Sequence, residues 1–409
     1  MTHRTKIMIR TALLGGALFC GISFLLPGCK EKEEEGKLEV LSAVNAASPV
    51  MPEEDLELLY YSDFYFDRLE YEEQKIYINM LRACRDMKDK TYFDSVPEDT
   101  FLKADYAIFA DHPEITWRWS YSGIYAGMVD TVYFDITDEK NKERNALARQ
   151  KAQEILENMD PDLSDYDKML YFYDRIIDDT EYAENEYDQD MTSVFVDHVS
   201  VCAGYSRAFQ YLCREAGIEC AYVEGIAYGF QEDDEEAHAW NQVKLDDDHY
   251  WIDVTWGDPL SEDEKYKKTY SYFCTDDEEF FRTHDPKANV WLSDGNGGIL
   301  DDPLYSFTLP ECPDDSRDYY KIKGAYFENY DRVAVAEFIG KKLYSDPESV
   351  VEFKMGDAWG YEQASDELFE DRAYIYDIIE EWLGSSVAGN RDVYFIEDDN
   401  TFVISLFLG

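Results

Sequence analysis

A helix followed directly by three strands is the feature of this sequence that most constrains its fold. The segment CAGYSRAFQYLCREA over residues 202–216 carries apolar side chains on one stripe at helical spacing, and Gly217 is a residue type that commonly ends a helix. Three segments rich in aromatic and β-branched residues, which favour strands, come next at 218–229, 238–245 and 249–256. The order predicts a helix packed on an antiparallel sheet, which is an α+β fold.

The chain is long enough to require more than one domain. It has 409 residues, of which 45% are hydrophobic and 16% aromatic, and single cores stop growing at about 250–300 residues. This composition can fill packed cores, so it argues against a mostly disordered chain. We predict a signal peptide (1–28), an acidic tether (29–55), an N-terminal α+β region (56–160), a core (161–300) and a C-terminal α/β domain (310–409).

Local patterns predict the elements on both sides of the helix and its three strands. On the N-terminal side they predict a helix within 56–90, strands at 115–122 and 130–137, a helix at 139–159 capped by Thr137 or Asp138, and a helix at 165–180. In the C-terminal domain they predict a strand at 319–327, a helix at 332–343, a strand at 350–355, a helix at 371–383 and a hairpin turning at 398–400. This order is typical of a small α/β sandwich.

The formal net charge of −51, from 89 acidic and 38 basic residues, excludes some classes of partner. A surface this acidic repels phosphate backbones and anionic lipid, so it disfavours nucleic-acid binding and a polybasic membrane contact. Two interpretations stay open, namely solubility outside the cell and attraction to cationic substrates or cations. No segment has the ligand spacing of a calcium loop, and we predict neither a metal nor another cofactor.

The first thirty residues are typical of an export signal. A basic start precedes an apolar stretch at 11–26, which runs into Leu26-Pro27-Gly28-Cys29. A small residue before Cys at this place resembles a bacterial lipobox, in which the Cys29 thiol receives the lipid. Pro27 departs from the usual residue, and a plain signal peptide or a retained membrane anchor are the alternatives. We therefore expect an extracytoplasmic protein held at the bacterial cell surface by a lipid anchor.

One cysteine beyond the signal occupies a position suited to chemistry. Six cysteines follow Cys29 and none forms a CxxC pair, so a zinc ribbon or a thioredoxin-type site is not indicated. Cys202 begins the predicted helix, where the positive end of the backbone dipole and free N–H groups stabilise a thiolate. Cys213 and Cys220 are expected in the core. The disulfide status of Cys84, Cys213, Cys220, Cys274 and Cys312 is left open.

A nucleophilic thiol needs a base and a residue that orients the base. His238 follows Cys202 by 36 residues and begins one predicted strand, while Asp253 follows His238 by 15 residues on the next strand. Fifteen residues allow one hairpin, so His238 and Asp253 can lie side by side on neighbouring strands. A carboxylate in that place holds the imidazole in one tautomer and stabilises its protonated form. Trp240, Trp251 and Trp256 are expected to wall the site.

The segments VCAGYSRAFQYLCREAGIEC, HAWNQVKL and YWIDVTWGDP resemble the three signature blocks of the transglutaminase-like superfamily. The resemblance covers roughly residues 161–300 and implies a papain-like thiol fold with the triad Cys202, His238 and Asp253. Gly204 and Tyr205 match the family's Gly-Tyr after the nucleophile, and Trp240 matches its His-Ala-Trp. Together with Trp256 they are the candidates for the substrate cleft. The departures lie upstream: Tyr173 stands where many bacterial members have His, and VFVDHVSV replaces a commoner loop. The backbone N–H of Cys202 could donate to the oxyanion of the reaction. The family's second oxyanion donor has two candidates here, Tyr182 and Trp117.

The resemblance implies an enzyme that acts on peptide or amide bonds through a thioester. Water gives hydrolysis and an amine gives acyl transfer; we favour hydrolysis, because water is always present at a cell surface. The expected partner is a protein or peptide substrate, and cell-wall peptide is one candidate. The alternative is a non-catalytic surface module that binds peptide or glycan in the same cleft. A nutrient-capture lipoprotein ranks last, because its usual two-lobed repeats are absent.

Overall fold

The computed structural model describes most of the chain beyond residue 50. The described residues are 5–6, 51–60, 63–117, 119–136, 138–229, 235–259, 266–286, 307–370 and 373–409. Cys29 and nearly all of the predicted signal peptide and tether lie outside these ranges, and the predictions made for them remain predictions. Among the described residues, no helix combines the length and the apolar character that crossing a membrane requires.

The N-terminal region contains a three-stranded antiparallel sheet with helices beside it. A two-residue strand, β1 (Thr5–Lys6), belongs to the C-terminal sheet instead. The elements that follow are α1 (Glu53–Leu56), a 3₁₀ turn (Phe66–Arg68), α2 (Tyr71–Arg85), β2 (Lys90–Pro97), α3 (Glu98–Asp111), β3 (Trp119–Ser122) and β4 (Met128–Phe134). The strand order is β2-β4-β3. The helix predicted within 56–90 is confirmed in its second half, where Glu70 and Glu73 form a capping box.

The core follows the predicted order of a helix and an antiparallel sheet. Its elements are α4 (Glu139–Asn158), α5 (Asp165–Asp179), β5 (Glu181–Tyr182), a π-helical turn (Ser193–Asp197), β6 (Val199–Ser200), α6 (Cys202–Glu215), β7 (Cys220–Tyr228), β8 (Glu235–Leu245), β9 (Asp248–Ile252), β10 (Phe273–Thr275), α7 (Asp277–Phe280) and β11 (His284–Asp285). The sheet order is β10-β9-β8-β7-β11, with every pair antiparallel. Helix α6 ends before Gly217, whose φ of 85° only glycine adopts readily. The α+β fold class is confirmed.

The N-terminal region and the core share one hydrophobic cluster. Buried aromatic side chains from both parts meet there, including Tyr65 and Phe101 from the first and Tyr222 and Trp240 from the second. Helix α6 adds polar links, because Arg207 donates to the backbone oxygen of Phe109 at 2.9 Å. Gln210 donates to the oxygen of Ala110 at 2.7 Å, and Arg214 pairs with buried Glu114 at 2.7 Å. The N-terminal region therefore covers one side of helix α6.

The C-terminal domain is a mixed sheet with helices packed on it. Its elements are α8 (Tyr319–Ile322), β12 (Tyr326–Phe327), α9 (Arg332–Ser345), β13 (Val351–Met355), α10 (Ala358–Ser365), a π-helical turn (Asp366–Glu370), α11 (Ile375–Leu383), α12 (Ser385–Ala388), β14 (Val393–Asp398) and β15 (Val403–Leu408). The strand order is β1-β14-β15-β13-β12, and β14 and β15 form the predicted hairpin. The strand predicted at 319–327 is wrong in its first half, because Asp318 caps a short helix there by accepting from two backbone N–H groups.

A buried ion cluster joins the C-terminal domain to the core. Lys354 on β13 is only 4% exposed, and its ammonium group lies 2.7 Å from Asp318 and in contact with Glu279 of helix α7. A second contact between the two parts is the stack of the Tyr270 and Tyr319 rings, with centroids 3.8 Å apart. These contacts fasten the segment that carries α7 and β11 to the C-terminal domain.

Replacement of Lys354 by methionine should destabilise the protein strongly. Lys354→Met keeps the apolar stem but leaves the carboxylates of Glu279 and Asp318 without their cation, and removal of one member of a buried charge cluster costs about 3–5 kcal/mol. Lys341→Met is the matched control, because Lys341 pairs with Glu337 on the exposed face of α9, and exposed pairs contribute about 0–1 kcal/mol. Denaturant unfolding at pH 8 measures both variants. Equal losses in the two would show that the cluster does not stabilise the junction.

Candidate active site

Cys202 is the first residue of helix α6, as predicted. The residue before it, Val201, has no side chain that caps the helix, so the N–H groups of the first turn are not satisfied by a capping side chain. Among the cysteines in the described part of the chain, Cys202 alone is partly exposed, and the rest are buried. The structure thus places one accessible sulfur at the positive end of a helix dipole.

His238 and Asp253 are brought together by the pairing of β8 with β9. The Nε2 atom of His238 donates to Oδ2 of Asp253 over 2.7 Å, and both side chains are buried. This bond leaves Nδ1 of His238 as the ring nitrogen available to the thiol. Burial alone would lower the pKa of His238, but the charge and hydrogen bond of Asp253, together with the Cys202 sulfur, raise it to about 10.

Asp253 is fixed from every side. Its Oδ1 atom accepts the backbone N–H groups of Thr255 at 2.9 Å and Trp256 at 3.1 Å, which lie in the turn directly after it. Its Oδ2 atom accepts from His238 and also from a second imidazole, that of His284, at 3.1 Å. Burial tends to raise the pKa of Asp253, yet the charge of His238 and these imidazole hydrogen bonds hold it well below its usual range.

His284 is the site residue that sequence reasoning missed. It lies on the two-residue strand β11, and its Nδ1 atom is 2.8 Å from the hydroxyl of Thr283. Burial lowers the pKa of His284 to about 4, against the opposing effect of Asp253, so the ring is neutral at physiological pH. No motif surrounds it, and β11 is too short to be recognised by alternation. The three segments that resemble the transglutaminase-like superfamily do not include His284 either, because the last of them, YWIDVTWGDP, ends before it.

The donor atoms of His238, Asp253 and His284 all lie within 4.8 Å of one another, which is the one such group found among the described residues. Two imidazoles and a carboxylate are ligands that suit zinc. Each of these atoms is already engaged in a hydrogen bond to another member of the group, at 2.7 and 3.1 Å. The hydrogen bonds account for the cluster without an ion.

The four predicted cleft residues occupy different surroundings. Trp256 is partly exposed, and its ring centroid lies 5.7 Å from that of His238. Trp240 is fully buried, and its ring centroid lies 5.9 Å from that of His238. Gly204 packs so closely that an added Cβ would lie 2.0 Å from the Ser200 hydroxyl. Tyr205 is fully buried and donates to Asp258 at 2.6 Å, so it supports the helix from beneath. Their roles toward substrate stay predictions.

The two candidates for a second oxyanion donor lie beside different cysteines. Tyr182 on β5 is close enough to Cys202 for the two groups to interact electrostatically; burial, followed by that interaction, raises the pKa of the phenol. Trp117 instead lies beside Cys84 in the N-terminal region, where it opposes the rise that burial causes in the pKa of that thiol. Tyr173, the departure in the lead-in helix, is fully buried and donates to the backbone oxygen of Thr269 at 2.9 Å. Of the two, Tyr182 is therefore placed near the thiol.

The imidazoles of His238 and His284, which both bind Asp253, should have very different pKa values. We expect His238 to stay protonated up to pH 8 and His284 to stay neutral down to pH 6, since their pKa values are about 10 and about 4. Because the pKa of His238 is raised, its stabilising effect is complete below pH 6.5 and is lost as the pH rises toward 10. Imidazole ¹⁵N chemical shifts measure both rings.

Asp253→Asn is the control for this titration. The substitution removes the charge that raises the pKa of His238. Burial then acts alone, so the pKa of His238 should fall below its ordinary value of about 6.5. A ring of His238 that titrates near pH 6.5 in the unaltered protein would contradict the described ion pair.

Part of the chain is similar to known proteins. Residues 149–255 match the family model described as the Transglutaminase-like superfamily. Kyphoscoliosis peptidase of mouse is 33% identical over 100 residues, a match that covers 22% of this chain and 15% of the relative, and the human protein matches to the same extent. The chain thus spans a small part of these relatives.

A solved structure described as a crystal structure of a TGase covers 37% of this chain and 47% of its own, at 17% identity. Its TM-score of 0.24 is too low to support an argument about the fold. The family match is the stronger finding, and all three members of the predicted triad lie inside its boundaries. The middle of this chain, residues 149–255, is therefore similar to the transglutaminase-like superfamily.

Proposed function

We propose that the protein is an extracytoplasmic thiol enzyme that cleaves peptide or amide bonds in a protein or peptide substrate. The observation that carries the proposal is the arrangement of Cys202, His238 and Asp253. A partly exposed sulfur lies at a helix N-terminus, in hydrogen-bond contact with an imidazole that a buried carboxylate holds at 2.7 Å. The name of the curated relatives, a peptidase, supports the same reaction class.

The first half of the reaction forms a thioester. The Cys202 thiolate attacks the amide carbonyl carbon and forms the C–S bond, and the backbone N–H of Cys202 can donate to the developing oxyanion. When the C–N bond breaks, the protonated His238 gives its proton to the leaving amine. Asp253 keeps Nε2 of His238 occupied throughout, so that Nδ1 is the nitrogen that exchanges the proton.

The second half consumes the thioester. Neutral His238 takes a proton from water, the hydroxide attacks the acyl carbon, and the released thiolate restores the starting pair. An amine in place of water would give acyl transfer by the same steps. We favour hydrolysis because Cys202 is partly exposed, so water reaches the acyl group without a special channel.

The proposed location rests on the N-terminal sequence. The basic start, the apolar stretch at 11–26 and Cys29 support export and lipid attachment at the bacterial cell surface. An acidic chain with a charge of −51 suits that location, because it remains soluble and does not adhere to anionic lipid. Peptides of the cell wall are then the substrates nearest to the site.

Alkylation by iodoacetamide tests the thiol pair directly. Cys202 should react readily at about pH 6, well below the range near pH 8.5 where free thiols ionise. In His238→Ala the imidazolium is lost, so the rate at pH 6 should fall at least tenfold, while the rate at pH 9 changes less. Mass spectrometry of tryptic peptides identifies the modified cysteine.

His249→Ala serves as the matched control, because His249 is a half-buried histidine beside Glu219, at 4.0 Å and away from the triad. Its alkylation profile should follow that of the unaltered protein. Reaction that rises only near pH 8.5 and ignores His238→Ala would refute the enzyme proposal and favour the alternative, a surface module that binds peptide or glycan.

Partition of the acyl group tests hydrolysis against transfer. A peptide library incubated with and without about 10 mM of a primary alkylamine should give mainly the free acid in both cases, if water attacks the thioester freely. Cys202→Ala measures the background. Predominance of the amide product would overturn hydrolysis in favour of acyl transfer and leave the thiol mechanism intact.

A further inference from the structure

We propose that His284 is a positioning residue for this site, because its Nε2–H holds the Asp253 carboxylate in the orientation that receives His238. The inference rests on the proposed function and adds a fourth member to the arrangement. His284 does not reach the reacting atoms and acts through Asp253. Three observations carry the inference. His284 and His238 bind the same oxygen of Asp253, aromatic rings surround the His284 ring, and the C-terminal domain holds the segment on which His284 lies.

The hydrogen bonds of Asp253 leave no position for water on its carboxylate. A carboxylate has about four acceptor positions, and Asp253 uses two for the N–H groups of Thr255 and Trp256 and two for the imidazoles. Without His284, one position on Oδ2 would be a buried acceptor with no donor, and the carboxylate could turn away from His238. The second imidazole supplies the donor and removes that freedom.

Aromatic side chains fix the His284 ring in the plane that this bond needs. Phe280 stacks on it, with centroids 4.0 Å apart and an angle of 18° between the planes. Trp256 lies 4.6 Å away, and Trp240 and Tyr272 approach at 5.0 and 5.2 Å with steep angles. The ring is 1% exposed, so water does not compete for its N–H. This surround explains why two tryptophans of the site are placed against His284 as well as His238.

A glycine lets the strand of His284 come close to the strand of His238. Gly225 on β7 pairs with His238 on one side, while β11 runs along the other side. A Cβ at Gly225 would lie 2.2 Å from the backbone oxygen of Asp285 and 2.4 Å from the Trp240 ring. A side chain there would push β11 outward and lengthen the bond from His284 to Asp253. Glycine is thus required for the approach of the two imidazoles.

The C-terminal domain holds this segment from outside. Arg282 donates to the backbone oxygen of Asn400 at 2.9 Å and its guanidinium lies 4.6 Å from the centre of the Phe402 ring. Lys354 binds Glu279 within α7, one residue before the Phe280 ring that stacks on His284. The geometry gives the C-terminal domain a part in the site, since it immobilises the turn from which His284 reaches Asp253.

Two amide variants of His284 separate this role from simple packing. The amide nitrogen of Gln can occupy the place of Nε2 and donate to Asp253, whereas the shorter Asn places its amide near Nδ1, beside Thr283. In His284→Asn the iodoacetamide rate at pH 6 should fall roughly tenfold and its acid limb should move up by about one pH unit, because one hydrogen bond to a charged group is lost. His284→Gln should recover most of that rate.

Each outcome has a definite meaning. If the unaltered protein shows no reactive thiol at pH 6, the proposed function fails first. If it does, and Asn and Gln leave the pH profile alike, the positioning role is refuted even when both variants lower the melting temperature. A stoichiometric metal ion in the purified protein, detected by elemental analysis, would also overturn the role, because the ion would replace the proton between His284 and Asp253.

The unaltered protein offers a measurement that does not depend on the folding of a variant. Long-range ¹H–¹⁵N spectra of the imidazoles should show His284 as the Nε2–H tautomer, with a slowly exchanging downfield proton. The Nδ1–H tautomer would place a lone pair against the carboxylate of Asp253 and would refute the inference outright.

Discussion

The bond between His238 and Asp253 is the interaction on which the site depends. It joins two buried groups whose separate burial would be costly, so the pair is stable only because each supplies the charge that the other needs. The pairing of β8 with β9, the turn after β9 and the aromatic rings around His238 and His284 exclude water from this bond. In the proposed mechanism Cys202 gains its reactivity from the same bond, since the imidazole of His238 can stay protonated beside the sulfur only while Asp253 remains ionised.

The rest of the molecule immobilises the two sides of that bond. Helix α6, which begins at Cys202, is pressed onto the sheet and covered on its outer side by the N-terminal region through Arg207, Gln210 and Arg214. The opposite side is held by the C-terminal domain through Lys354. Buried cations thus hold neighbouring segments together in a chain that is strongly acidic overall.

The order of elements in the core, the contact of His238 with Asp253 and the terminal hairpin were predictable from sequence, because each depends on a local pattern or on a spacing that one hairpin can span. The catalytic roles of Cys202, His238 and Asp253 stay predictions. Strand β2 and helix α3 were not predicted. The burial of α3 depends on distant partners such as Tyr222, which contacts Phe109 and lies more than a hundred residues away. Strand β2 has no fully buried residue to mark it, and it is fixed by its pairing with β4. The aromatic and β-branched residues from Tyr319 onward predict a strand, which is wrong because Asp318 caps a short helix at this place. His284 was missed because only tertiary contacts distinguish it.

The shared hydrophobic cluster has a consequence for dissection of the chain. A fragment limited to residues 149–255 would keep the three triad members but would expose the face of α6 that Phe109 and Ala110 now cover, and it would lack β10 and β11. Truncation at the family boundaries would therefore yield a species with bared apolar surface and an incomplete sheet. In this protein the packed core extends beyond the residues that match the family model.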